Sequence, residues 1–118
     1  MTYFPIDEVG CKDGCGMDIT KLTRVRLDAL RTILQRPLNV TSGARCASYN
    51  AKIPGSAKNS RHMNGDAVDI SIVGWSTYDI VKLTGAAIQA GARGVGVADT
   101  FVHIDFRPAL TTVFWKYD

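Results

Sequence analysis

Apolar residues recur at Leu22, Val25, Ala29, Leu30, Ile33 and Leu34, the three- and four-residue spacing of a helix. This predicts a helix over Thr20 to Gln35, capped near Asp18 or Thr20 and stopped before Pro37. A second helix is predicted from Ser76-Thr-Tyr-Asp79, a capping box with Asp in place of Glu, through Ile80, Leu83, Ala87 and Ala90 to Gly91. Elsewhere the period shortens to two. Ala67-Val-Asp-Ile-Ser-Ile72 alternates small or polar residues at 67, 69 and 71 with Val68, Ile70 and Ile72, as a half-buried strand does. Phe101 to Arg107 repeats the pattern, with Val102, Ile104 and Phe106 on one face and His103, Asp105 and Arg107 on the other. Leu38 to Thr41 and Gly94 to Val97 read as further strands, Ala44 to Lys52 as a short helix, and Gly55 to Asn64 as a polar, turn-rich loop. This order predicts one α+β domain over residues 1–118, with helices on one side of a mostly antiparallel sheet.

Composition narrows the class only a little. A chain of 118 residues suffices for one core and not two, and 46% apolar with 8% aromatic residues is ordinary for a globular protein. The net charge of +3 is mild. Its densest basic stretch, Arg24, Arg26 and Arg31, has no interleaved aromatics, so it reads as a solvated helix face and argues against nucleic acid as a partner. No apolar run approaches the ~20 residues of a transmembrane helix. Met1 to Glu8 shows neither a basic leader nor a long apolar stretch, so no secretory signal is expected.

The polar strand faces carry the candidate chemistry. If the two alternating strands pair, Asp69 and His103 meet, and His62 reaches the same point through the turn at Gly65. Two imidazoles and one carboxylate are a zinc set that leaves a fourth position open for water or substrate. His62 and His103 are the only histidines in the chain, and each is also open to the plainer reading of a hydrogen-bonded surface residue.

Four ordered motifs carry a resemblance over roughly residues 4 to 107. They are Thr41-Ser42-Gly43-Ala44-Arg45-Cys46, Tyr49-Asn50, Ser60-x-His62-x-x-Gly65-x-Ala67-x-Asp69 and Phe101-Val-His103-Ile-Asp105-x-Arg107. Together they resemble the zinc D-Ala-D-Ala carboxypeptidase and L-Ala-D-Glu endopeptidase family of peptidoglycan hydrolases, with its hedgehog-type fold. The resemblance implies Zn2+ on His62, Asp69 and His103, on the sheet face away from the helices. It also implies a peptidoglycan stem peptide as substrate, contacted by Ser42, Arg45 and Ser60, with Arg45 stabilising the tetrahedral intermediate. The expected activity is that of a D-Ala-D-Ala carboxypeptidase or an L-Ala-D-Glu type endopeptidase. A noncatalytic zinc module that binds a partner or the wall is the alternative.

Two positions depart from the family pattern. Ala44 stands where a Tyr is usual, and Thr100 where many relatives carry an acid three residues before the last histidine. The general base is therefore sought in Asp105, on the same strand face as His103, and next in Asp99, in the loop before it. Asp105 has a second reading, as the carboxylate that orients a histidine ligand. The expected setting is a phage or prophage lytic enzyme, made in the bacterial cytoplasm and acting on the wall after release or delivery, with a monomer the expected state.

Three cysteines remain, Cys11, Cys15 and Cys46. No further Cys or His pair stands near Cys11-x-x-x-Cys15 to complete four metal ligands. A bridge from Cys46 to Cys11 or Cys15 is open, and free thiols are the expectation. Trp75 and Trp115 are expected to pack near strand ends, with Trp115 also placed to wall a cleft.

Overall fold

A computed structural model describes residues 1–117; Asp118, the last residue of the expected domain, lies outside the described residues. Helix α1 spans Ile6–Val9, α2 Lys21–Leu34, α3 Ala47–Lys52 and α4 Thr77–Gln89, and a 3-10 turn spans Arg61–Asn64. The strands are β1 (Val40–Ser42), β2 (Ala67–Ser71), β3 (Gly94–Val97), β4 (Phe101–Asp105) and β5 (Val113–Lys116). They form one sheet in the order β1-β2-β4-β3-β5, antiparallel except for the parallel pair β3 and β5. The result is an α+β domain.

Both long helices begin where the polar signals placed them. Thr20 Oγ1 accepts the Thr23 amide at 3.1 Å, and Ser76 Oγ accepts the Asp79 amide at 3.1 Å, satisfying amides that the first turn leaves free. The buried face of α2, however, is only part of the expected stripe: Leu30 and Leu34 belong to it, and Leu27 does not. Leu22, Val25 and Ile33 are exposed, while Thr23, Leu27 and Leu30 are buried and Leu34 packs at the edge of the core. Two apolar stripes run along this helix at helical spacing. Only the one carrying Leu27 and Leu30 meets the sheet.

The core face of the sheet carries Val68 and Ile70 from β2, Val95 from β3, and Val102 and Ile104 from β4, packed with Leu27, Leu30, Leu83 and Ala87 of the two long helices. Alternation turns the intervening residues to the opposite face. Register then lines them up across the strands. Ser42 pairs with Asp69, Asp69 with His103, His103 with Gly96, and Gly96 with Trp115. One row thus crosses all five strands on the face away from the long helices, and the site is built on it.

Two elements lay outside the sequence expectation, α1 and β5. The first is four residues long, and the second is exposed on most of its length, so neither shows a strong apolar period. No helix among the described residues is long and apolar enough to cross a membrane.

Candidate active site

Asp69 is the hub of the site. Its Oδ1 lies 3.2 Å from His62 Nε2 and 3.3 Å from His103 Nδ1, and the two imidazole rings meet edge to face with centroids 5.2 Å apart. The strand pairing delivers Asp69 and His103 as adjacent partners. His62 comes from the 3-10 turn, which Ser60 Oγ caps by accepting the His62 amide at 3.2 Å. Gly65 closes that turn at φ 71°, a left-handed conformation that glycine adopts without steric cost.

The outer nitrogens of both rings are also fixed. His62 Nδ1 lies 2.7 Å from the Gly43 carbonyl oxygen, and His103 Nε2 lies 2.7 Å from Asp105 Oδ2. Each of those nitrogens donates to its oxygen, so in the neutral rings His62 Nε2 and His103 Nδ1 carry lone pairs. Two lone pairs and a carboxylate oxygen then converge with no proton among them. Such a cluster calls for a cation. The donor atoms of His62, Asp69 and His103 all lie within 4.8 Å of one another, a spacing that one metal ion bridges. The residues present therefore fit zinc.

Without a metal ion, a proton on either imidazole can take the place of the cation. Burial alone would raise the pKa of Asp69, but the hydrogen bonds and charge that the imidazoles of His103 and His62 offer when protonated outweigh it and hold the carboxyl well below the usual range. For His103 burial works to lower the pKa, and Asp105 and Asp69 together overcome it and raise it. Asp105 is likewise held low despite its burial by Arg107 and His103.

Arg45 is buried behind the ligands. Its Nε donates to Ser42 Oγ at 3.1 Å, Nη1 to Asn50 Oδ1 at 3.2 Å and Nη2 to Asp69 Oδ2 at 3.3 Å. The guanidinium thus grips the Asp69 oxygen that faces away from the histidines. Asn50 was legible only as part of a motif; its buried amide anchors this grip.

The two carboxylates expected as general base stand elsewhere. Asp105 is fully enclosed: Oδ1 accepts from Arg107 Nε at 2.7 Å, and Oδ2 accepts from Arg107 Nη2 and His103 Nε2, each at 2.7 Å. Asp99 is exposed in the turn between β3 and β4 and does not line the cleft. Thr100 is exposed beside it.

Above the triad opens a cleft of about 540 Å³, lined by the polar residues Arg45, Ser60, Arg61 and Arg107 and by the aromatic residues Phe101, Trp115 and Tyr117. Trp115 lies 5.2 Å from the His103 ring and Tyr117 5.2 Å from Phe101, centroid to centroid. Glycines on β3 make this possible. A Cβ at Gly96 would overlap the Trp115 indole, and one at Gly94 would overlap the Asp105 carboxylate. Trp115 lines the cleft as expected, whereas Tyr117 and β5 were missed, because β5 is a short edge strand; the alternation of Val113, Trp115 and Tyr117 with Phe114 and Lys116 was the available signal. Trp75, by contrast, packs under Arg36, whose guanidinium carbon sits 3.6 Å from the ring centroid.

An open two-histidine, one-carboxylate triad beneath a peptide-sized cleft is the architecture of a metal-dependent hydrolase. The chain belongs to the peptidase M15 family, whose model matches residues 3–105. It is 36% identical over 85 residues to the probable peptidoglycan L,D-endopeptidase MepK of Haemophilus influenzae, a stretch covering 67% of this chain and 42% of that protein. It is 38% identical over 81 residues to the peptidoglycan L,D-endopeptidase MepK of Escherichia coli K12, covering 64% of this chain and 43% of that one. The chain spans less than half the length of these curated relatives.

Proposed function

We propose that this chain is a zinc-dependent endopeptidase that cuts the stem peptides of peptidoglycan. The observation that carries this reading is the convergence of His62 Nε2, His103 Nδ1 and Asp69 Oδ1 on one point at the floor of the cleft. Relatives named as peptidoglycan L,D-endopeptidases favour cleavage within the stem peptide over removal of a terminal D-Ala.

His62, Asp69 and His103 would hold the ion, which when bound supplies a Lewis acid and lowers the pKa of water toward ~7. The protein's own groups do the rest. The Gly43 carbonyl and Asp105 hold the two imidazoles in the tautomers that present lone pairs inward. Arg45 fixes Asp69 through one oxygen and leaves the other for the metal, and as a residue bordering the cleft it places positive charge where a peptide carbonyl gains negative charge. Ser42 keeps Arg45 in place, and Ser60 borders the cleft as a substrate contact. Stem peptides carry free carboxylates, and the guanidinium groups of Arg61 and Arg107 around the cleft, although paired with Asp66 and Asp105, keep further N–H groups that suit them. Trp115 and Tyr117 add apolar surface to the cleft lining.

A second reading, a noncatalytic zinc module that binds the wall or a partner, is favoured by one observation. Among the described residues Asp69 is the one carboxylate lining the cleft, and its two oxygens are assigned to the metal and to Arg45, which leaves no free carboxylate there to receive the proton of the attacking water. Mass spectrometry of muropeptides after digestion of purified wall with zinc-loaded protein separates the two. New fragments cut at the L,D bond are expected. Intact muropeptides, with the protein folded and bound to the wall, would sink the enzyme and support the module.

A further inference from the structure

The cysteines that the active site does not use converge on the far side of the segment that carries Arg45. Cys11 Sγ and Cys46 Sγ lie 3.7 Å apart, although 35 positions separate them in sequence. Asp13 reaches both, with Oδ1 at 3.1 Å from Cys11 Sγ and Oδ2 at 3.0 Å from Cys46 Sγ. Cys15 completes the group, and the four donor atoms all lie within 4.8 Å of one another. The tertiary fold thus supplies the two ligands that the spacing Cys11-x-x-x-Cys15 lacked. None of the three sulfurs is in a disulfide.

We propose that Cys11, Asp13, Cys15 and Cys46 form a second metal site, a tetrahedral zinc clasp distinct from the active site. Two sulfurs bound to one tetrahedral zinc at ~2.3 Å stand about 3.8 Å apart, close to the separation of Cys11 and Cys46. Three thiolates and a carboxylate are a soft, anionic set that selects zinc over calcium or magnesium. The Cys46 amide also points at Cys11 Sγ, 3.4 Å away, the direction from which an N–H stabilises a metal-bound thiolate. A closed set of four protein ligands leaves no open position, so the clasp is structural.

Its place in the fold gives it a task. The segment Gly43 to Cys46 offers the carbonyl that orients His62 and the guanidinium that grips Asp69. Its remaining ties to the N-terminal segment are the Ala44 amide on the Val9 carbonyl at 2.8 Å and the contacts of Cys46. A metal on the cysteines locks the loop from residue 10 to residue 19 against this segment.

The test loads the reduced full chain with cobalt(II) anaerobically and records its absorption, then repeats zinc stoichiometry on variants. The active site offers no sulfur, so a thiolate-to-cobalt charge-transfer band reports the clasp alone. Expected are that band in the wild-type chain and two zinc ions per chain. Cys15→Ser, an exposed position, should fall to one ion and lose the band, while His103→Ala should keep one ion and the band. Absence of the band in the wild-type chain overturns the site, as do two zinc ions retained in Cys15→Ser. A Cys11–Cys46 disulfide in protein isolated anaerobically would overturn it as well.

Discussion

Asp105 touches the chemistry only through His103, and this fixes what its removal does. In Asp105→Asn the amide no longer offers the charged acceptor that holds His103 Nε2–H, and Arg107 loses its partner. Zinc affinity is expected to fall roughly ten- to a hundredfold, measured by competition with a chelator, and activity at saturating zinc to recover in large part. Asp99→Asn should leave both unchanged, since Asp99 is exposed outside the cleft. Titration of the same cluster sets a pH dependence. Without metal, the raised pKa of His103 favours its protonated form, so the stability this gives is full below the unfolded imidazole pKa and is lost as pH rises through the folded one. Zinc needs the deprotonated ring. The gain in melting temperature on adding zinc should therefore grow between about pH 5 and pH 8, and a gain that shrinks over that range would contradict the ligand assignment.

At the scale of elements, packing decides which of two plausible faces matters. Leu27 is fully buried and Val25 exposed on the same helix. Leu27→Ala is expected to cost ~2–5 kcal/mol in denaturant unfolding, and Val25→Ala to stay within about 0.5 kcal/mol of wild type. Glycines give the same contrast. Gly96→Ala pushes a methyl into Trp115, tilting the aromatic wall at a cost of about 1–3 kcal/mol, with the shift visible in indole fluorescence. Gly85 sits exposed in α4 with open space at its Cβ, so Gly85→Ala should stabilise by roughly 0.5–1 kcal/mol.

For the whole molecule, Asp69 and His103 are held by a sheet whose hydrogen bonds do not need the metal, whereas His62 is held by a turn. Stripping the metal with a chelator should leave the strands folded and lower the melting temperature, with zinc at a hundred times its Kd restoring ~2.7 kcal/mol per independent site. Amide exchange should speed most in the segment from residue 53 to residue 65, which rims the cleft and has no buried residue apart from Ser60, His62 and Gly65.

The sequence by itself determined the alternation of the two central strands, and with it the face on which Asp69, His103 and Asp105 stand. A period of two leaves no other choice once one face is apolar. It also determined the Ser76 cap of α4 and confined that of α2 to Asp18 or Thr20, because such caps act on amides three residues away; the structure uses Thr20. Family motifs drew His62, Ser42 and Arg45 into the same site. Only the tertiary structure decided which stripe of α2 is buried, since Leu22, Val25 and Ile33 match helical spacing as well as Leu27 and Leu30 do. It alone turned Asp105 inward under Arg107, set Trp115 over Gly96, and brought Cys46 to Cys11. Those outcomes depend on contacts between residues distant in the chain, and local pattern carries no information about which of two chemically suitable partners will arrive.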